Sequence, residues 1–577
     1  MFLATTALTD FWDKDQELLF LGQWCRLYER HGDWEGVRGR MLASPWDEPG
    51  QVERGAADMS CLHEALLGFL SGFLDETHGV RHDERYWRII LGPWLLGFTA
   101  AVVDHGLHLD RAFAAEPGLE TWTLDPRDHR TPLDTDDFRH MSSTDLFQLQ
   151  LYSEMLAERG HAGRSLRRSE PERPRNGPAA WKSGVRAAFA RAARAVFGHE
   201  RVFADFYASR RRTLALMRAA SLAPLGQEVA SPRAPIDPAR RAGLAGFRTS
   251  VPFAAEAAAL LPRHLPILFL EGHAEFRRAV LARWPRLPRL LLTSVGWYAN
   301  ETFKLLAAEA VEHGASLILS QHGGAYGMME PIFSERHERR ISDRYATWGW
   351  NDGLYPGAAL VPLPSPQLDG PRPVPTRRTG DWLLITATMY RYPYTFYAAN
   401  APAAHRFIEQ IEGVSRFVRG VGDAARSGLR VRLHRSDFGW GHRARLVEEF
   451  PRLAFDDSAA HWKERADLFD LVAIDHPQTS LPEALALDKP TLLFWRPELW
   501  RMRPEAAPFL DGLRRAGILF DSAEDAARAA PAILADPASW WARPEARSAR
   551  AAFCARYARS SPDWLSDWKR ALAEAQQ

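Results

Sequence analysis

"LVAIDHPQTSLPEALALDKPTLLFW", residues 471–495, sets two short apolar runs on either side of a polar turn and one helical stretch. The runs at 471–475 and 490–495 have the continuous apolar character of strands buried on both faces. The first ends at Asp475; His476, Gln478, Thr479 and Ser480 then fill a turn, and a helix is predicted over 481–487. Pro482 suits its first turn, and Thr479 or Ser480 is the expected N-cap. Two strands joined through a helix predict parallel pairing, because parallel neighbours need a crossover.

The same alternation extends in both directions. "WLLITAT" (382–388), a helix at 395–418 and "LRVRLHRS" (429–436) precede the quoted stretch. Further upstream, "PILFLEG", "RLLLTS", "ASLILSQHGG" and "RYATWGW" read as strands, with helices at 273–283 and 301–313. Two such series predict an α/β protein with two Rossmann-like domains facing a cleft. The proline-rich segment 356–380 reads as the linker, which gives an N-terminal domain at 1–368 and a C-terminal domain at 369–577. Extra helices are expected near 60–75, 84–104 and 143–158, short strands at 17–28 and 121–125, and a helical tail at the C-terminus. The basic stretch 164–178 reads as a mobile loop, and 222–245 as a connecting segment.

Bulk properties narrow the function. A chain of 577 residues is too long for one core. A formal net charge of +1 argues against a nucleic-acid binder. Cys25, Cys61 and Cys554 lie far apart, without zinc spacing or a disulfide framework. The first twenty residues lack a basic, apolar signal pattern. The most apolar segment, "IILGPWLLGFTAAVVDHGLHL", is interrupted by Asp104 and His105, short of the roughly 20 residues that a membrane span needs, so it reads as a buried helix. Together these features predict a cytoplasmic protein. Twenty-one tryptophans raise carbohydrate stacking as a use, with core filling as the ordinary alternative. No Gly-x-Gly-x-x-Gly or Walker loop follows a strand, which counts against dinucleotide and P-loop chemistry.

The turn at 475–480 is the first candidate site. A helix N-terminus with hydroxyls beside it can bind a phosphate, His476 can donate to the same group, and Glu483 can hold a ribose. A capped helix without a ligand explains Thr479 and Ser480 but leaves His476 and Gln478 unexplained. Arg432 and His434 fall on one face of the neighbouring strand, with Arg435 beside them, where they can neutralise a phosphate or carboxylate. On the other side, "SQHGGAYG" (320–327) places Gln321 and His322 ahead of two glycines that allow close approach to a ligand. Glu301 starts a helix facing the cleft, where an acid can serve as nucleophile or base or complement the helix dipole. Glu271 is expected to end a strand, and Glu335, Glu338 and Asp343 are expected to pair with nearby arginines.

"LATTALTDFWDKDQELLFLGQWCRLY", "RYWRIILGPWLL", "SQHGGAYG", "ISDRYATWGW" and "RSSPDWLSDW", in this order, resemble a bacterial family of surface-carbohydrate transferases. That family is similar to the retaining β-Kdo transferases, which have two Rossmann-like domains (GT-B type). The resemblance implies transfer of Kdo or a related nonulosonic acid from a CMP-sugar to a surface-polysaccharide or lipopolysaccharide acceptor. It implies no metal, since CMP carries one phosphate, and peripheral association with the inner membrane. By motif, Gln321 and His322 match the acceptor-side loop, His476 the residue contacting the CMP phosphate, and Ser480 the hydroxyl cluster beside it. Glu301 is the candidate catalytic acid, with Arg432, His434, His476, Gln478, Thr479, Ser480 and Glu483 on the donor. Two rival readings are an epimerase of the same two-domain plan and a non-catalytic carbohydrate-binding or assembly protein.

Overall fold

The computed structural model describes residues 1–161, 163–170, 180–368, 370, 378–392 and 406–575. Its N-terminal edge is a small parallel sheet of β1 (Phe2–Ala4), β2 (Leu18–Phe20) and β3 (Gly39–Met41). Two long helices follow, α1 (Gln51–His78) and α2 (Glu84–Ala115). The apolar run expected to be a buried helix is the middle of α2, and its most apolar window is wholly buried. Asp104 ends that run inside the protein, where it accepts from Trp46 Nε1 at 2.7 Å and faces His105 and His108. Helices α3 (Thr135–Met141) and α4 (Asp145–Glu158) complete this helical block. A short parallel pair, β4 (Thr123–Leu124) and β5 (Ser165–Leu166), runs along it. Residues 171–178 of the expected basic loop lie outside the described residues.

The first lobe begins with α5 (Ala180–Phe197), β6 (Arg201–Ala204), α6 (Arg210–Ala220) and β7 (Ala223–Pro224). It continues with β8 (Leu290–Thr293), β9 (Ser316–Ser320), β10 (Arg344–Thr347) and β11 (Ala359–Pro362). All pairs are parallel, in the order β11-β10-β9-β8-β6-β7. The second lobe holds β12 (Trp382–Ile385), β13 (Leu429–Arg432), β14 (Ala454–Phe455), β15 (Val472–Ile474), β16 (Thr491–Phe494) and β17 (Leu519–Phe520). Their order, β14-β13-β12-β15-β16-β17, reverses direction between β12 and β15. β8, β12, β15 and β16 are buried along their whole length, as their continuous apolar sequences require. Two Rossmann-like domains of the GT-B plan, with extra helices at both ends, are the architecture.

Four boundaries differ from the sequence reading. "PILFLEG" forms a short helix, Ile267–Leu270, because so brief an apolar run suits a buried helix as well as a strand. The expected linker starts later, since β11 pairs with β10 inside the first sheet; residues 369 and 371–377 of it lie outside the described residues. The helix expected at 395–418 is observed as Phe407–Gly420, with 395–405 outside the described residues. The last helix, Trp564–Glu574, returns to the first lobe. There Trp568 is buried in one cluster with Leu216 and Met217 of α6 and donates to Pro364 O at 2.8 Å.

Sixteen of the 21 tryptophans are buried, which assigns most of them to the core rather than to exposed carbohydrate contact. One core cluster runs without a break from the N-terminal sheet through the first lobe into the second. The seam is also polar. Arg503 N donates to Met328 O at 2.7 Å, and the Arg503 guanidinium reaches Glu335 at 2.8 Å, both side chains buried.

Candidate functional site

Between the lobes lies a cavity of about 650 Å3. It sits beyond the carboxyl ends of β12, β13 and β15, where the second sheet reverses its strand order. Neighbouring strands there send their connections to opposite faces, and a crevice opens between them. Arg432, His434, His476, Gln478, Thr479, Ser480 and Glu483 all line it, so the seven donor-side residues read from sequence are brought together. Tyr207 and residues 323–326 close it from the first lobe, and Tyr390, Phe438 and Trp462 add aromatic walls.

The side chains are held in ways the sequence did not show. Thr479 does not cap the helix Ser480–Ala486. Its Oγ1 instead crosses the seam and accepts the N–H of Gly324 at 3.1 Å. Arg432 binds Asp456 at 2.6 Å and Ala460 O at 2.7 Å, so its charge is largely neutralised within the lobe. Arg465 joins the same carboxylate, and burial notwithstanding, the two guanidiniums hold Asp456 below the usual carboxylate range. Arg435, exposed on the cavity wall, donates to Ala459 O at 2.6 Å.

His476 presents the most usable geometry. Its Nδ1 is buried 3.2 Å from Oδ1 of Asp475, a fully buried carboxylate fixed by Ala387 N at 2.7 Å and Gln410 Nε2 at 2.9 Å. Nδ1 makes no hydrogen bond there; the carboxylate faces it as a charge, and the ring lines the cavity. Glu483 is the one carboxylate among the described residues that line it. It is already engaged by Lys463 Nζ at 3.0 Å and Trp462 Nε1 at 3.2 Å, so a ribose would have to share it.

The first-lobe residues are placed differently from expectation. Gln321 points inward: its Oε1 accepts from Trp348 N and Trp350 Nε1, both at 2.8 Å, and its Nε2 donates to Gly323 O at 2.8 Å. It shapes the loop, is buried and is not among the residues that line the cavity. His322 also turns inward, with Nε2 3.2 Å from the Tyr326 hydroxyl and Nδ1 buried. Burial pushes its pKa down to about 4, which keeps the ring neutral. Gly324 is glycine because the other lobe needs the space, since a Cβ there would lie 2.6 Å from Pro482 Cγ and 2.9 Å from Thr479 Cα.

Glu301 does not line the cavity. Helix α3 covers it, Thr135 N donates to it at 3.1 Å, and Lys304 pairs with it at 2.9 Å. Helix α3 lies far from Glu301 in sequence, so the local pattern gave no sign of the cover. Glu271 is likewise paired, with Arg241 at 2.7 Å. Of the three acids expected to meet arginines, Glu335 meets Arg503 and Asp343 meets Arg85. Glu338 does not: fully buried, it accepts from the Tyr326 hydroxyl at 2.6 Å, and burial raises its pKa well above the ordinary value. Tyr326 therefore links the cavity wall to a buried acid and a neutral histidine. Its position four residues after His322 was a signal in the sequence, whereas Glu338 lies on a separate helix, Phe333–Ile341. Among the described residues no group of three or more His, Cys, Asp and Glu is placed to hold a metal ion.

A protein-family model described as LIC12162 family transferase matches residues 1–572. The chain belongs to this family. No curated protein matches it in sequence. Among solved structures it is similar to the UDP-forming α,α-trehalose-phosphate synthase of Burkholderia vietnamiensis, at 12% identity and a TM-score of 0.35 over 65% of this chain and 96% of that one. It is also similar to the Staphylococcus aureus MnaA–UDP structure, at 12% identity and 0.34 over 63% and 94%. The pneumococcal O-GlcNAc transferase GtfA, in complex with UDP and GlcNAc, matches at 12% and 0.33 over 52% of this chain. That match spans 60% of GtfA's length. Likeness at this level adds nothing beyond the two-lobed plan already visible in the strand order. The expectation of a CMP-linked donor is corrected: the nucleotide named with all three structures is UDP, and CMP is named with none of them.

Proposed function

We propose that this family member is a glycosyltransferase that holds a nucleotide-sugar donor in the interlobe cavity and passes the sugar to a glycan acceptor. One observation carries the reading. The cavity at the switch point of the second sheet gathers His476, Gln478, Ser480 and Arg435 around a single space, with Tyr207 and Tyr326 opposite. The acceptor is a surface polysaccharide or lipopolysaccharide, in line with the transferase resemblance, and the reaction takes place on the cytoplasmic side.

Charge builds on the leaving phosphate oxygen as the bond to the sugar breaks. In its doubly protonated form His476, with Nδ1 facing Asp475, donates to that oxygen through Nε2, and Arg435 balances the charge. The backbone N–H groups of Thr479 and Ser480 and the Ser480 hydroxyl take the remaining phosphate oxygens. The contact between Gly324 and Thr479 holds the lobes together, so the donor is shielded from water.

The test is thermal unfolding of the full chain with UDP, GDP, ADP, TDP and CMP. A nucleoside diphosphate at about 100 times its Kd is expected to add roughly 2.7 kcal/mol of stability. His476→Ala is expected to reduce that gain, measured against the melting point of the free variant. Sugar binding without any nucleotide response would instead identify a binding module, and turnover of a nucleotide sugar without acceptor would identify an epimerase.

A further inference from the structure

The first lobe closes the interlobe cavity with Tyr207 and residues 323–326, and of these only Tyr207 and Tyr326 carry polar side-chain groups. The Tyr326 hydroxyl is spent inward on Glu338, Ser334 and His322. Tyr207 is half-buried, and among the described residues its hydroxyl meets no partner. The hydroxyl is not enclosed either, so it opens on the cavity that the ring lines. Burial, and then the charge of Glu483 on the opposite lobe, push its pKa up to about 12. The group is therefore a neutral phenol with a proton to donate.

The backbone is built to hold it there. Tyr207 lies in the turn that follows β6, where Asp205 has a φ of 42°, in the left-handed region that L-residues seldom adopt. That turn is pinned to the one after β8. Ser294 N and Val295 N donate to Asp205 O at 3.3 and 3.2 Å, and Tyr207 N donates to Ser294 Oγ at 2.9 Å. Asn300 caps the helix Glu301–Glu312 through Oδ1, and its Nδ2 donates to the Asp205 carboxylate at 2.8 Å. Strain of this kind persists only where the surroundings over-determine it, and such places cluster at ligand sites.

The charge of Glu483, on the second lobe, reaches the phenol. A carboxylate offers about four lone-pair directions. Lys463 and Trp462 use two of them, with Gln367 at 3.5 Å, which leaves room for one more donor. Together the two residues present one acceptor and one donor, the complement of a vicinal diol. One hydroxyl of such a diol donates to the carboxylate, and its neighbour accepts from the phenol.

Given the nucleotide-sugar reading of the cavity, on which this assignment rests, we propose that Tyr207 binds the ribose diol of the donor nucleotide together with Glu483. Both lobes then select for a ribonucleotide.

The experiment is isothermal titration of the full chain with UDP, GDP and ADP and with their 2′,3′-dideoxy counterparts, for wild type and Tyr207→Phe. Wild type is expected to bind its preferred ribonucleotide more tightly than the dideoxy form. Tyr207→Phe is expected to weaken the ribonucleotide by about threefold to tenfold, the worth of one hydrogen bond, and to leave the dideoxy form unchanged. A phenol with only a structural role would weaken both ligands alike. The melting point of the free variant should match wild type, because the hydroxyl has no partner to lose. Equal loss for both ligands, or no loss for either, would overturn the proposal and leave the donor reading in place. Absence of binding by all three ribonucleotides in wild type would overturn the donor reading and the ribose contact together.

Discussion

The amide of Gly324 donates to Oγ1 of Thr479 at 3.1 Å, a hydrogen bond from the end of one parallel sheet to the end of the other. A threonine in the position of a helix cap thus spans the two lobes, and a glycine in the position of a ligand loop makes room for it. Both residues face the cavity, so the contact that closes the cleft is also part of its wall.

Gly324→Ala is expected to be costly for that reason. The added methyl would lie 2.6 Å from Pro482 Cγ and 3.0 Å from Gln478 O, and the backbone oxygen cannot swing aside. Overpacking of this kind costs about 1–3 kcal/mol, read from urea unfolding. Nucleotide affinity should fall with it, whereas Gly323→Ala, whose Cβ meets nothing closer than 3.5 Å, should change little.

The pair Glu335–Arg503 crosses the same seam in full burial. Arg503→Met would leave the Glu335 carboxylate buried opposite an apolar chain. Breaking one side of a buried pair costs about 3–5 kcal/mol. The double variant Glu335→Gln, Arg503→Met is expected to recover part of the loss in the same unfolding experiment.

His476 and His322 should separate in kinetics. His476→Ala is expected to raise the donor KM and lower kcat by about tenfold or more, since it removes a group on the leaving phosphate. His322→Ala removes a ring turned toward Tyr326 and should leave donor KM within about twofold. Steady-state rates with the donor identified by the nucleotide screen decide between them.

Stability should depend on pH in two opposite ways. His322 and His442 have folded pKa values near 4, below the ordinary 6.5, because burial disfavours their charged forms. The unfolded chain therefore binds more protons between pH 6.5 and 4, and stability falls as pH drops through that window. Each histidine contributes roughly 2 kcal/mol or more, and His322→Gln should flatten the slope seen in unfolding from pH 7 to 5. Glu338 acts the other way. Its raised pKa gives stability that is present below pH 4.5 and lost as pH rises, so Glu338→Gln is expected to gain on wild type between pH 5 and 8.

The sequence by itself determined the two parallel sheets and the donor side of the cleft. Apolar runs such as "LVAI" and "TLLF", bounded by turns and alternating with helices, read as strands buried on both faces, and the turn residues that follow such strands emerge at the carboxyl edge. That local rule carried Arg432, His434, His476, Gln478, Thr479, Ser480 and Glu483 into one cavity. What each of them touches was decided by tertiary structure, because the partners come from distant segments. Asp456 occupies Arg432, Lys463 occupies Glu483, and Gly324 takes the hydroxyl of Thr479. The first lobe departs further from its local pattern, since side chains at a loop can turn either way. Helix α3 covers Glu301, Trp348 and Trp350 hold Gln321 inward, and a buried acid on another helix sets the surroundings of Tyr326 and His322. Periodicity specifies which face of an element is buried, but only the packed chain specifies what it is buried against.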